Sequence, residues 1–147
     1  MTTESHEQPF AMSLEQAIHE RWATDFLLAT VLPADRLSTG AARGETSLPY
    51  VVLSRRENEV VTRTSSGTCI DRAVIRFSVW SADLDEGKEI AQAIARRFER
   101  VDFPLDKGSV LNMQRSQETE TQADDGSWQL ELDYVLIVRH PPSGLFG

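Results

Sequence analysis

The residues with the strongest claim to chemistry are Cys69, the histidines His6, His19 and His140, and the carboxylate pair Glu118 and Glu120. A cysteine nucleophile needs a base beside it and a helix N-terminus or cation that lowers the thiol pKa. Cys69 opens a strand-like run with no nucleophile elbow or flanking base, so it reads as a small buried cysteine rather than the partner of His19 or His140. The three histidines fall in the N-terminal tail, on a helical stretch and at a strand end, without the paired His, Cys or Asp spacing of a zinc or iron site. Glu118 and Glu120 share one face of a strand, as an acid–base pair would, yet nothing nearby supplies the apolar pocket that raises one pKa. They read as a solvated strand edge. Gly87-Lys88 lacks the preceding glycine and following Ser/Thr of a phosphate loop, and the Gly40 to Gly44 spacing fits no dinucleotide fingerprint. The expected catalytic, metal and cofactor sets are therefore empty.

Two surface stretches stand out instead. Glu118-Thr-Glu120-Thr-Gln-Ala-Asp124-Asp125-Gly126 places four carboxylates and no Lys or Arg in nine residues. It reads either as a solvated Asp-Gly turn or as a projecting negative tongue that contacts or repels a partner. Arg63-Thr-Ser-Ser-Gly67, with Ser65 and Ser66, reads as turn material first and as a weak anion site second.

The elements that must position these stretches follow from periodicity. Residues 1–12 are polar and expected to be a mobile tail. Ser13 with Gln16 fits a capping box, and Leu14, Ala17, Ile18, Trp22 and Phe26 recur at helical spacing, which predicts one helix over 13–31 stopped by Pro33. Pro33 to Pro49 reads as a long connection without regular structure, functional or mobile. Tyr50 to Leu53 is strand-like and Val60-Val61 continues it beyond a charged stretch. After the turn Thr64 to Thr68, residues Cys69 to Ser81 alternate, with Ala73, Ile75, Phe77 and Val79 on one face and Arg72, Val74, Arg76, Ser78 and Trp80 on the other. Asp83, Asp85 and Glu86 open a second helix whose stripe is Leu84, Gly87, Ile90, Ala91, Ile94 and Phe98, and Arg96, Arg97 and Arg100 crowd its end, as the helix dipole favours. A linker with Gly108 then leads to a hairpin of Val110 to Thr121 and Trp128 to Arg139. Residues 140–147 form a second tail.

The order helix, hairpin, helix, hairpin predicts one α+β domain over 13–139, a mainly antiparallel four-stranded sheet with two helices on one face. Val135 and Ile137 make the other side of the last strand apolar too, so that face is either partly covered or meets another subunit.

Composition narrows the classes. The chain has 147 residues, enough for one domain, with 40% apolar and 26% charged residues. A single cysteine permits no intrachain disulfide, so a reducing compartment is expected. No run approaches the ~18 apolar residues of a membrane span, and Glu4 and Glu7 stand where a signal peptide carries Lys or Arg, so a soluble protein without membrane contact is expected. A net charge of −8 disfavours adhesion to phosphate backbones. Half of that excess lies in Glu118 to Gly126, while Ser54 to Arg76 carries five arginines against Glu57, Glu59 and Asp71. The charge is polarised between the two hairpins.

Three segments together resemble a known family: a helix before Leu48-Pro49-Tyr50-Val51-Val52-Leu53-Ser54, that strand itself, and Arg76-Phe77-Ser78-Val79-Trp80-Ser81 running straight into the helix around Glu89 to Ile94. They are similar to the tail completion (tail terminator, head-to-tail joining) proteins of tailed bacteriophages and prophages, over most of residues 13–139. The resemblance implies a structural protein without a cofactor, assembling in the bacterial cytoplasm into the virion. It implies a homo-oligomeric ring, often hexameric, that ends the tail tube and docks on the head connector while DNA passes through without specific binding. A ring needs a heterologous interface, for which Arg63, Ser65, Ser66, Val135, Ile137 and the Pro33 to Pro49 loop are candidates. Glu118, Glu120, Asp124 and Asp125 are the candidates to face the channel or a partner. A small α+β ligand- or peptide-binding module is the alternative.

Overall fold

The computed structural model describes residues 9–40 and 47–141, with side chains from residue 14. Most of the two expected tails and the Gly44 end of the long loop lie outside the described residues.

Two helices, α1 (Pro9–Thr24) and α2 (Phe26–Val31), replace the single one expected over 13–31. Helical backbone already begins at Pro9, so Ser13 lies inside α1 and is not its cap. The break comes at Asp25, whose Oδ1 accepts a 2.8 Å hydrogen bond from the Leu28 amide and caps α2. An aspartate that satisfies an orphan amide in this way competes with helix continuation. Trp22 Nε1 donates to the Leu32 carbonyl at 2.8 Å and ties the end of α2 back to α1. Leu14, Ile18 and Trp22 are consequently buried, whereas Phe26, expected on the same stripe, is 81% exposed.

The Pro33 to Pro49 connection is not wholly irregular: it holds a 3-10 turn (Ala34–Arg36) and strand β1 (Leu37–Thr39). Strand β2 (Tyr50–Arg63) runs unbroken through the charged stretch, and β3 (Cys69–Ser81) follows. Helix α3 (Leu84–Phe98) is capped by Asp83, whose Oδ1 accepts from the Glu86 amide at 2.8 Å. The expected linker after it contains β4 (Val101–Leu105), and β5 (Gly108–Gln122) and β6 (Trp128–His140) complete the chain.

The sheet has six strands in the order β1-β2-β3-β6-β5-β4. Every neighbouring pair is antiparallel except β1 and β2, which run parallel. A six-stranded mixed sheet with three α-helices thus replaces the four-stranded antiparallel sheet with two. The two extra strands are short edge pieces; in β4 Phe103 and Leu105 turn inward while Asp102 and Pro104 face outward, the proline on an edge strand where it is tolerated.

Inward-facing Val51, Leu53, Ala73, Ile75, Phe77, Val79, Leu130, Leu132, Tyr134, Leu136 and Val138 are buried together with Ile90, Ile94 and Phe98 of α3. Phe77 is the hub, with ring centroids 6.1 Å from Trp22, 5.5 Å from Phe98 and 5.6 Å, edge-on, from Tyr134. On the opposite face of β3 and β6, Val74 and Ser78 are buried while Arg72, Arg76, Trp80, Glu131, Asp133, Val135 and Ile137 are only partly covered. No helix among the described residues is long and apolar enough to cross a membrane.

Candidate functional site

Pairing of β3 with β6 decides where the two charged hairpins go. Cys69 lies opposite His140 and Ser81 opposite Trp128. The β2–β3 turn therefore sits at one end of the sheet and the β5–β6 turn at the other, separated by the length of β3, about 40 Å at about 3.3 Å per residue.

The two turns share one backbone design. At the first, the Thr64 amide donates to the Thr68 carbonyl at 2.8 Å and the Gly67 amide to the Thr64 carbonyl at 2.9 Å; at the second, Ala123 donates to Ser127 at 2.8 Å and Gly126 to Ala123 at 2.9 Å. Gly67 and Gly126 both adopt positive φ, +94° and +91°, the left-handed position that closes a three-residue hairpin loop. Their side-chain chemistry differs. Thr64 Oγ1 lies 2.8 Å from Ser66 Oγ and accepts from the Thr68 amide at 3.1 Å, so these hydroxyls are spent on the turn itself. That favours the turn reading of Arg63 to Gly67 over the anion site. In the other turn Asp125 Oδ1 accepts from the Ser127 amide at 3.0 Å and hydroxyl at 2.7 Å, and these bonds hold its carboxyl below the ordinary carboxylate range.

Of the five arginines near the first hairpin, three are committed within the chain. Arg55 donates to both carboxylate oxygens of Glu15 on α1, at 3.2 and 2.9 Å. Arg72 pairs with Glu57 at 3.2 Å. Arg76 donates to Asp133 at 2.8 and 3.2 Å and approaches Glu131 at 3.5 Å; the bond to Asp133 raises its pKa. Arg56 and Arg63 are exposed and pair with no carboxylate among the described residues. Beside them Val60 and Val61 are 51% and 53% exposed.

The acidic hairpin is less free than its sequence reads. Glu118 and Glu120 stand opposite the inward-facing Leu132 and Leu130 and so lie on the side that carries the core. Glu120 receives a 2.7 Å bond from Lys88 of α3, which raises the lysine pKa. Glu118 receives one from Arg115 at 3.0 Å. Only Asp124 and Asp125 carry charge out at the tip. Lys88 is the residue that sequence reasoning missed: nothing in its local pattern marks a partner 32 positions away. Val135 and Ile137 lie half-buried on the partly covered face, in register with Val74 and Arg72.

The remaining chemistry is structural. Cys69 is buried, and its thiol lies 3.6 Å from the Gly67 carbonyl. His140 Nδ1 lies 2.8 Å from the Pro141 carbonyl and Nε2 3.1 Å from Asp71 Oδ1, contacts that set the ring at the strand end. His19 is bonded to the Leu37 carbonyl at 2.9 Å and helps seat β1. Among the described residues no cluster of His, Cys, Asp and Glu could hold a metal ion. A cleft of about 270 Å³ lies between α1, α3 and β4, lined by Ala17, Glu20, Arg21, Thr24, Arg97 and Phe103. Arg21 stacks over the Phe103 ring at 4.4 Å, and burial together with the nearby Arg97 lowers its pKa.

Comparison with known proteins assigns this architecture. No curated protein matches the chain. A solved structure described as the virion of a native gene transfer agent particle superposes with a TM-score of 0.71 at 15% identity, covering 90% of this chain and 99% of that one. At that identity the likeness speaks for the fold. The family model described as tail completion protein gp17 matches residues 16–139, from the middle of α1 to the last residue but one of β6. With the matched region spanning both hairpins and all three helices, the chain belongs to the tail completion protein family.

Proposed function

We propose that this chain is a structural component of a phage-like particle: copies of it form a ring at the head-proximal end of the tail, end the tail tube and join the tail to the head. Family membership supplies the role. The observation that supports the ring is the position of the two hairpins, one with exposed arginines and one with exposed aspartates, at opposite ends of one sheet. A subunit polarised in this way suits head-to-tail contacts, in which one patch meets a different patch on the next copy. Arg63, Ser65 and Ser66 at one tip and the half-buried Val135 and Ile137 are the surfaces offered to neighbouring subunits. Asp124 and Asp125 face the tube, the connector or the DNA channel, with Glu118 and Glu120 bracing the hairpin behind them.

Electron microscopy of particles from producing cells that lack this chain tests the role. Tails of uncontrolled length and heads without tails are expected, and the wild-type chain restores both. Normal tails joined to heads in its absence would sink the proposal. A chain carrying Asp124→Lys and Asp125→Lys should fold normally yet restore joining poorly; full restoration would remove the tip from the contact.

A further inference from the structure

The sheet leaves two long strand edges without a partner among the described residues. Strand β1 covers only Val51 to Leu53 of β2, so the edge of β2 is open from Ser54 to Arg63. Strand β4 reaches only Met113 of β5, so β5 is open from Gln114 to Gln122. An unpaired edge is a row of amides and carbonyls ready to accept another strand, and soluble proteins keep such edges short or blunt them. Here bulges interrupt β2 between Arg55 and Glu57 and between Val60 and Thr62, the usual protection. Yet Val60 and Val61, at the second bulge, expose two β-branched apolar side chains, which is poor protection and good strand-pairing material. Beyond its own bulge at Arg115/Gln117, β5 is regular from Gln117 to Gln122 and contains neither Pro nor Lys.

We propose that copies of this chain join edge to edge, the open half of β2 in one copy pairing antiparallel with the open half of β5 in the next; this rests on the ring reading above and specifies its contact. Two features of the fold agree. The open edges lie on opposite margins of the sheet, so each copy offers one of each and the contact is heterologous. Successive antiparallel pairings make β2 and β5 run in opposite directions, so similarly oriented neighbours meet antiparallel without rearrangement.

Closure is geometrically consistent. The open part of β2 spans the rows of Cys69 to Arg76 and that of β5 the rows of Val74 to Ser81; residues opposite each other must face the same side, so the offsets nearest full overlap are four and six rows. Four to six rows are about 13–20 Å and the four strands from β2 to β5 about 19 Å wide, which sets the strands about 35–46° from the ring axis. Closed sheets tilt by about 35–45°. An edge contact of this stagger is compatible with a closed ring.

Paired cysteines in particles purified from producing cells test the contact. Each variant carries one cysteine on β2 (Val60→Cys, Val61→Cys or Thr62→Cys) and one on β5 between Gln114 and Glu118. On oxidation, covalent multimers of the chain are expected for pairs along one diagonal, where the β2 number rises as the β5 number falls. Val60→Asp with Val61→Asp, both exposed, should leave the fold intact and weaken self-association by about tenfold or more, equivalent to one strong contact. If rings are present but no diagonal of cysteine pairs links them, edge pairing is wrong while the ring stands. If the chain is absent from the particles, the ring reading falls and the edge contact with it.

Discussion

The β2–β3 and β5–β6 hairpins are two versions of one device. Both turns are closed by the same pair of backbone hydrogen bonds around a glycine at positive φ, 59 positions apart. What differs is the dipeptide before the glycine, Ser65-Ser66 against Asp124-Asp125, and the brace behind it. The first hairpin is anchored at its base by the two-pronged Arg55–Glu15 pair to α1, with both side chains 16% exposed. The second is anchored near its tip by the single Lys88–Glu120 contact to α3, with the side chains 48% and 32% exposed. One glycine and two amide bonds fix the turn and leave the exposed side chains free to take opposite chemistry, so a subunit gains two unlike ends from one backbone solution. The braces then decide how rigidly each end is presented.

The largest expected effect is one that both hairpins share. Phe77 packs against α1, α3 and β6 at once, so Phe77→Ala should cost about 3–5 kcal/mol. Chemical denaturation would measure it, and amide exchange should report equal loss of protection in β2 and β5. Loss confined to one hairpin would mean that the two ends do not share a core. The braces should then separate them. Arg55→Ala removes two charge-assisted hydrogen bonds in a mostly buried setting and should cost about 1–3 kcal/mol, with increased exchange in β2 ahead of β5. Lys88→Ala breaks an exposed contact, so it should leave the denaturation midpoint nearly unchanged and raise exchange only around Gln122 to Trp128. Equal effects from the two substitutions would erase the distinction between a deep brace and a surface one.

How much of this was legible in the sequence depended on whether burial or geometry carried the signal. The alternation of Ala73, Ile75, Phe77 and Val79 and of Leu130 to Val138 predicted β3 and β6 because the core faces them from one side. Helix α3 announced itself through Asp83 at its start and arginines at its end, and both roles hold. Strand β1 is too short at three residues to show an alternation, and in β4 the inward Phe103 and Leu105 are separated by Pro104, which reads as a helix stop and hides the strand. The break at Asp25 was hidden because Phe26 keeps the helical spacing while its side chain turns to solvent. Opposed hairpin ends followed from no local pattern; they depend on β6 pairing with β3 in full register. The four-carboxylate tongue was half legible: its acidity is real, but Lys88 and Arg115 neutralise Glu118 and Glu120 from positions that spacing does not connect.

The smallest effect distinguishes the turns by pH. Asp125 is held below its ordinary value of 3.8, first by the Ser127 hydroxyl and then by the Ser127 amide. A carboxyl whose pKa falls on folding stabilises the folded state above its unfolded value, and that contribution is lost as pH falls through the depressed one. The β5–β6 turn should therefore loosen in acid below 3.8. The β2–β3 turn, closed by Thr64 and Ser66 hydroxyls that do not titrate there, should not change. Carboxyl-carbon NMR titration would follow Asp125 directly, and amide exchange at Ser127 and Thr68 would follow the two turns. Ser127→Ala removes the larger cause, so the Asp125 midpoint should rise toward 3.8 while the Gly126 bond keeps the turn closed. If Thr68 and Ser127 loosened together in acid, the response would belong to the sheet as a whole, and the different dipeptides before the two glycines would not set how each end answers pH.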